Sequence, residues 1–267
     1  MLNYQSEEFK SLEELKSIAP SIFTKKGSDN TSNKYSHIPT DTVIKDLELL
    51  GWNVVDAKEV KARKQVGYQK HLVVFRNPDV VINGKDGDTV YPQILLTNSH
   101  DGKNSFSFQA GLFRMICENG LVIATKQFEA MKIRHMGYDF ETLQNVIKNM
   151  ISNLDLTVES MNKMKETELT EEQTLEFAKQ LLETRVAGSK NTFDGIAIED
   201  VLTPQRKEDK GNGLWEVFNR VQENIVEGNF QYLTPSGKLR QARPIKNFRQ
   251  DMNINARMYE QALTFAA

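Results

Sequence analysis

The segment Ser105-Phe106-Ser107-Phe108-Gln109-Ala110-Gly111-Leu112 alternates strictly between two faces. Phe106, Phe108, Ala110 and Leu112 fall on one side of an extended chain, and Ser105, Ser107, Gln109 and Gly111 on the other. Period two with a polar opposite face belongs to an antiparallel strand covered on one side. Just upstream, Asn98 to Asn104 reads as a turn centred on Asp101-Gly102, and Val90 to Thr97 as the preceding strand. Pro92 in that run suits an edge or a strand start better than a central ladder. Asn83-Gly84 and Asp86-Gly87 are turn dipeptides, so a hairpin joins Val80–Ile82 to Val90–Thr97. Further back, His71 to Phe75 and Trp52 to Val55 are extended runs, and Glu118-Asn119-Gly120 turns the chain into a strand over Leu121–Ala124.

Helical periodicity frames this strand-rich middle. Val43, Ile44, Leu47 and Leu50 share one helical face, with Thr40 or Asp41 as the N-terminal cap and Gly51 as the terminator. After Phe140 the period changes: Leu143, Ile147, Met150, Leu154, Val158 and Met161 make one long amphipathic helix. Thr170-Glu171-Glu172-Gln173 has the form of a capping box and opens a second helix through Leu182. These two are expected to pair over the exposed face of the sheet. Leu214–Val226, ended by Gly228, and Asn253–Phe265 are further helices, with Thr234–Gly237 as a turn between them. The reading is therefore an α+β fold, an antiparallel sheet covered by a long helix and a C-terminal helical region. Residues 1–39 are expected to form an N-terminal adapter or flexible region. Residues 40–267 then make a single domain, with a mobile loop or flap at 204–213.

The chain has 267 residues, 39% apolar and 26% charged, with a formal net charge of -2. Cys117 is the sole cysteine, so no internal disulfide can form, and a buried small hydrophobe is its ordinary role. No run approaches the roughly 20 apolar residues of a spanning helix, and Glu7, Glu8 and Phe9 do not resemble a secretory leader. A soluble protein of the cytoplasm, with no membrane partner, is expected.

Signatures of chemistry are sparse. The chain lacks a glycine-rich phosphate loop, a zinc-protease histidine pair and a nucleophile elbow. His37, His71, His100 and His135 form no local metal motif, and neither metal nor cofactor is expected. Asn98, His100 and Asp101 read in two ways. They are a structural turn built from backbone-bonding side chains, or a functional loop in which a carboxylate orients an imidazole.

Positive charge is more suggestive. Between Phe230 and Gln250 stand Lys238, Arg240, Arg243, Lys246 and Arg249, interleaved with Tyr232 and Phe248, and no acidic residue. Guanidinium groups pair with phosphate through two parallel hydrogen bonds, and aromatic rings can carry stacked bases. A second basic set, Lys70, Arg76, Arg114, Lys126 and Arg134, lies on or beside the sheet. Because Glu141 to Thr184 carries an acidic excess, a chain of net charge -2 can still segregate a basic surface.

Several segments in combination resemble a known family. They are Leu96-Thr97-Asn98-Ser99-His100-Asp101-Gly102, the run Ala110 to Val122, Ile133-Arg134-His135-Met136-Gly137, and Leu214-Trp215-Glu216-Val217-Phe218-Asn219-Arg220-Val221-Gln222-Glu223. Together they are similar to the phage- and plasmid-associated domain of unknown function 932, over about Gly51 to Leu263. The resemblance implies a mobile-element setting and carries no catalytic residue.

The leading expectation is a non-catalytic protein of a phage or plasmid that binds single-stranded nucleic acid, DNA first, and aids annealing, recombination or replication. The twelve basic and aromatic residues just named would form its surface, and oligomerisation is open. One rival is an accessory module that binds a host or replication protein. The other is a nucleic-acid-modifying enzyme, which needs His71, His100, Asp101 or His135 to converge with carboxylates such as Glu118.

Overall fold

The computed structural model describes residues 9–33, 35–62, 66–83, 89–104, 106–114, 119–123, 131–133, 139–152, 154–187, 190–193 and 195–266. The chain divides into two compact units, residues 2–154 and 155–267. The boundary therefore falls near residue 154 and not near Pro39.

In the first unit the described residues form a seven-stranded antiparallel sheet. Its central path runs β1 (Asn53–Glu59), β2 (His71–Arg76), β4 (Thr89–Asn98), β5 (Phe106–Arg114) and β6 (Asn119–Ile123). The short β3 (Ile82–Asn83) pairs with β4, which gives the expected hairpin, and β7 (Met131–Ile133) pairs with β5. Pro92 lies in a central strand after all. It tolerates that place because β3 pairs only with residues 89 and 90 of β4, and β2 begins its pairing at Gln93. The residue without an N–H sits in the gap between the two neighbours.

One sheet face carries Ala57, Val73, Phe75, Ile94, Leu96, Phe106 and Phe108, all buried. Three helices pack onto it: α1 (Leu12–Ile18), α2 (Thr40–Leu49) and α3 (Phe140–Ser152), through Leu15, Val43, Ile44, Leu47, Leu143, Val146 and Ile147. Leu72, Val74 and Leu95 on the other face are buried too. Strands β2 and β4 are thus buried on both faces, whereas β5 keeps its alternation over Phe106–Gln109, where Ser107 and Gln109 are half-buried.

Residues 10–39 are part of this core. Ser11 and Glu14 make a reciprocal capping box for α1, Lys10 N–H donates to the Val54 carbonyl of β1 at 2.7 Å, and Ala19, Ile22 and Ile38 are fully or almost fully buried. An adapter would leave such side chains in water; here their burial holds the segment to the sheet.

The second unit is helical. The expected long helix is described as α3 and, from the second unit's side, α4 (Leu154–Glu166). The Thr170–Gln173 capping box opens α5 (Glu171–Val186) as read. Within the second unit α5 packs with α6 (Gly195–Leu202), α7 (Leu214–Glu227) and α8 (Phe248–Phe265). α7 is the axis of the group, buried on nearly every side, and ends at Gly228 in the left-handed region (φ 76°). Its polar residues are tied off internally. Asn224 Nδ2 donates to the Val201 and Thr203 carbonyls at 3.0 and 2.8 Å, closing the end of α6, and Gln222 donates to Asn255 Oδ1 at 2.7 Å. Residues 204–213 are tethered rather than free: Arg220 donates to the carbonyls of Asp209 (2.9 Å) and Gly211 (2.8 Å), and Arg206 pairs with Glu223.

Truncating Ile22 tests whether the N-terminal segment belongs to the core. Ile22→Ala should cost about 3 kcal/mol of stability, read as a lowered urea midpoint of the Trp52 fluorescence transition. An unchanged midpoint would mean that the segment is peripheral.

Candidate functional site

The sequence offers two places for function, and the structure treats them differently. The first is the turn after β4. The core face of the sheet ends at the register pair His71 and Asn98, both fully buried. Asn98 Nδ2 donates to Thr40 Oγ1 at 2.9 Å and to the Ile38 carbonyl at 3.2 Å. His71 Nε2 lies 2.9 Å from the same Thr40 hydroxyl, and Nδ1 lies 2.8 Å from Ser21 Oγ and 3.3 Å from the Gln69 carbonyl. Since a carbonyl can only accept, the proton of the neutral ring belongs on Nδ1, and Nε2 accepts from Thr40. Thr40 is thus spent on the imidazole, so it does not cap α2, whose N-cap, Pro39, has no side-chain cap bond.

His100 packs its ring against His71 (centroids 5.3 Å apart) and against His37 (4.6 Å), so three histidines distant in sequence converge. Ser99 Oγ donates to Asp101 Oδ1 at 2.7 Å, and Asp101 accepts from Lys103 N–H at 3.0 Å, as a structural turn requires. Burial and then the Asp101 carboxylate push the Tyr35 phenol up to about 12. Among the described residues no group of three or more His, Cys, Asp or Glu side chains could hold a metal ion. His71, Asn98, Ser99 and His100 are closed to solvent, so this turn is a buried polar joint between the N-terminal segment and the sheet. Glu118 and His135, which an enzyme reading needs beside them, lie outside the described residues.

The second place is the basic segment. β8 (Gln231–Leu233) and β9 (Leu239–Gln241) form a two-stranded hairpin around Thr234–Gly237, with Tyr232 directly opposite Arg240. Cross-strand partners share a face, so a half-buried ring and an exposed guanidinium stand side by side. Lys238, Arg240, Arg243, Lys246 and Arg249 are all exposed, and among the described residues none is in an ion pair.

The chain after β9 is stitched to the helical group. Ala242 N–H donates to the Phe230 carbonyl and Ile245 N–H to the Val226 carbonyl, both at 2.9 Å. A Cβ at Gly228 would stand 2.7 Å from the Arg243 carbonyl carbon, so only glycine allows this approach. Beneath it, Arg185 at the end of α5 donates Nη2–H to the Arg243 carbonyl at 2.9 Å. Sequence reasoning missed Arg185, which stands 58 positions before Arg243 in a helix with four glutamates.

Other candidates fare less well. Phe248 is 6% exposed because α8 begins there, five residues earlier than the periodicity predicts; it is a core residue and cannot stack a base. Arg76 is 8% exposed and lies over the Tyr91 ring at 5.1 Å, not on an open groove. Lys70 is half-buried just before β2. Arg114 sits in β5 between Val90 of β4 and Asn119 of β6, and its side chain lies outside the description, as do Lys126 and Arg134.

Residues 29–259 match the family described as a domain of unknown function (DUF932). The chain belongs to that family. It is also similar to two Escherichia coli K12 proteins, UPF0380 protein YafZ and UPF0380 protein YfjQ. Each is 27% identical, over 94% of this chain and 89% or 90% of theirs. No solved structure matches the chain significantly. Two of the segments that carry the DUF932 resemblance coincide with joints of the fold: Leu96–Gly102 holds the buried turn, and Leu214–Glu223 forms most of α7.

The joint should be sensitive to acid. Complete burial pushes the His71 imidazole down to about 4, against 6.5 ordinarily. Below pH 6.5 the unfolded chain therefore takes up the proton first. His71's contribution to stability is full above pH 6.5 and is lost as pH falls to about 4, by about 3 kcal/mol. Urea midpoints of the first unit measured between pH 7 and 4 should fall less steeply in His71→Gln than in the parent. Identical slopes would assign the acid sensitivity to other groups.

Proposed function

We propose that this DUF932 protein binds single-stranded nucleic acid, DNA in the first instance, through the basic hairpin and the segment that follows it, without altering it chemically. The observation that carries the reading is a set of five exposed cations, Lys238, Arg240, Arg243, Lys246 and Arg249, with no carboxylate paired to any of them among the described residues. Asp251, the nearest acidic residue in sequence to Arg249, is buried and bonded to Asn255 Nδ2 at 2.7 Å. Tyr232 beside Arg240 supports the reading, since a ring able to stack a base stands next to a guanidinium able to pair with phosphate. Phage and plasmid association of the family is consistent with a role in annealing, recombination or replication.

Leu239 favours a second reading. It is 50% exposed on the hairpin between Lys238 and Arg240, a combination that also suits an acidic protein partner.

Fluorescence anisotropy with a labelled single strand tests the proposal. Replacing Arg240, Arg243 and Arg249 together by alanine should weaken binding at least about tenfold at low salt. It should also flatten the plot of log affinity against log salt by about 2, since each single-strand phosphate contact contributes about 0.7. Equal affinity and slope in parent and variant, with helical content unchanged, would remove the basis for the reading. Displacement of the strand by polyglutamate but not by unlabelled strand would favour the protein partner.

A further inference from the structure

Arg185 is placed differently from the exposed cations of the second unit. It leaves the last turn of α5, is half-buried, and spends one donor, Nη2–H, on the Arg243 carbonyl. A guanidinium carries five N–H donors in a fixed fork, and among the described residues no other acceptor bonds to Arg185, nor does any carboxylate lie within ion-pair distance.

Its neighbours are a backbone carbonyl, an aromatic ring and one carboxylate. The Arg243 backbone is in contact, and Tyr232 and Asp251 are the charged or titratable neighbours felt at longer range. Asp251, which accepts from Asn255 Nδ2 at 2.7 Å within α8, attracts Arg185 at longer range. Burial accordingly lowers the Arg185 pKa, with Asp251 and Tyr232 opposing. A desolvated charge without a direct counter-ion is costly, and an oxyanion bound there relieves the cost.

We infer that Arg185 is a binding residue for a phosphate oxyanion at the foot of the basic hairpin, held in place by the Arg243 carbonyl and flanked by Tyr232 and Arg240. The inference deepens the nucleic-acid reading, on which it rests for the owner of the phosphate. A backbone phosphodiester is the source favoured here, because Tyr232 stands beside Arg240 to receive the attached base. Free phosphate shares the chemistry. The fork makes the contact directional: two parallel N–H donors meet two oxygens, which an ammonium cannot reproduce.

The test uses the full chain, with Arg185→Gln removing the charge and Arg185→Lys keeping charge and length without the fork. Both are first checked by amide exchange at Ala242 and Ile245, whose N–H groups report the stitch to the helical group. With that protection intact, Arg185→Gln should bind a labelled single strand about tenfold more weakly and lower the salt slope by about 0.7. Arg185→Lys should recover the slope but not the full affinity. Unchanged affinity and slope in Arg185→Gln would overturn the inference while leaving the wider reading standing. So would a loss of affinity accompanied by lost protection, since Arg185 would then act through the backbone alone.

If the parent binds no strand, the nucleic-acid reading fails and inorganic phosphate decides the rest. A phosphate-dependent rise in thermal midpoint that is absent in Arg185→Gln supports the site, and an equal rise, or none, in both proteins ends it.

Discussion

The surface chemistry of the second unit depends on one close approach of two backbones. At Gly228 the chain leaves α7 in the left-handed region, and the peptide joining Ala242 to Arg243 passes where a side chain would otherwise stand. The approach lets Phe230 and Val226 accept the N–H groups of Ala242 and Ile245, and Gln241 donates across the same gap to the Gly228 carbonyl at 2.6 Å. Arg243 and its neighbours are therefore presented by a backbone fixed to the most deeply buried helix of the unit. A flexible basic tail would surrender conformational entropy whenever it bound; a stitched one surrenders mainly side-chain freedom.

The first unit is held by a different device. Its core face ends in polar residues, and His71, Asn98, Thr40 and Ser21 satisfy one another where the N-terminal segment crosses the sheet. A buried polar set of this kind fixes register, because any slip would leave donors unpaired in an apolar setting. It also occupies one of the three gathered histidines, since His71 has both ring nitrogens bonded to hydroxyls.

Much of the fold was legible in the sequence because the signals were local. Alternation at Phe106 and Phe108, the Thr170–Gln173 capping box, and Gly51, Gly102 and Gly228 at positive φ all act within a few residues of themselves. The misreadings arose where distant residues outbid local preference. Thr40 looked like a cap and was taken by His71, thirty-one positions away. Residues 10–39 looked polar enough for an adapter, yet their few apolar side chains are spaced to meet the sheet. Phe248 looked like part of a basic, aromatic strip, but Asn247 caps a helix there and turns the ring inward. The hairpin was legible as a cluster of charge around a turn; the guanidinium beneath it was not, since no sequence pattern joins Arg185 to Arg243.

The first unit is a sheet-and-helix body, and the second displays exposed cations, unpaired among the described residues, beside Tyr232. The proposed contact with a nucleic-acid strand lies at this tyrosine. Photo-crosslinking with a single strand carrying 5-iodouracil, followed by peptide mapping, tests this directly. The account predicts an adduct on the peptide that contains Tyr232. Adducts confined to other peptides, or crosslinking that persists unchanged in Tyr232→Leu, would contradict it.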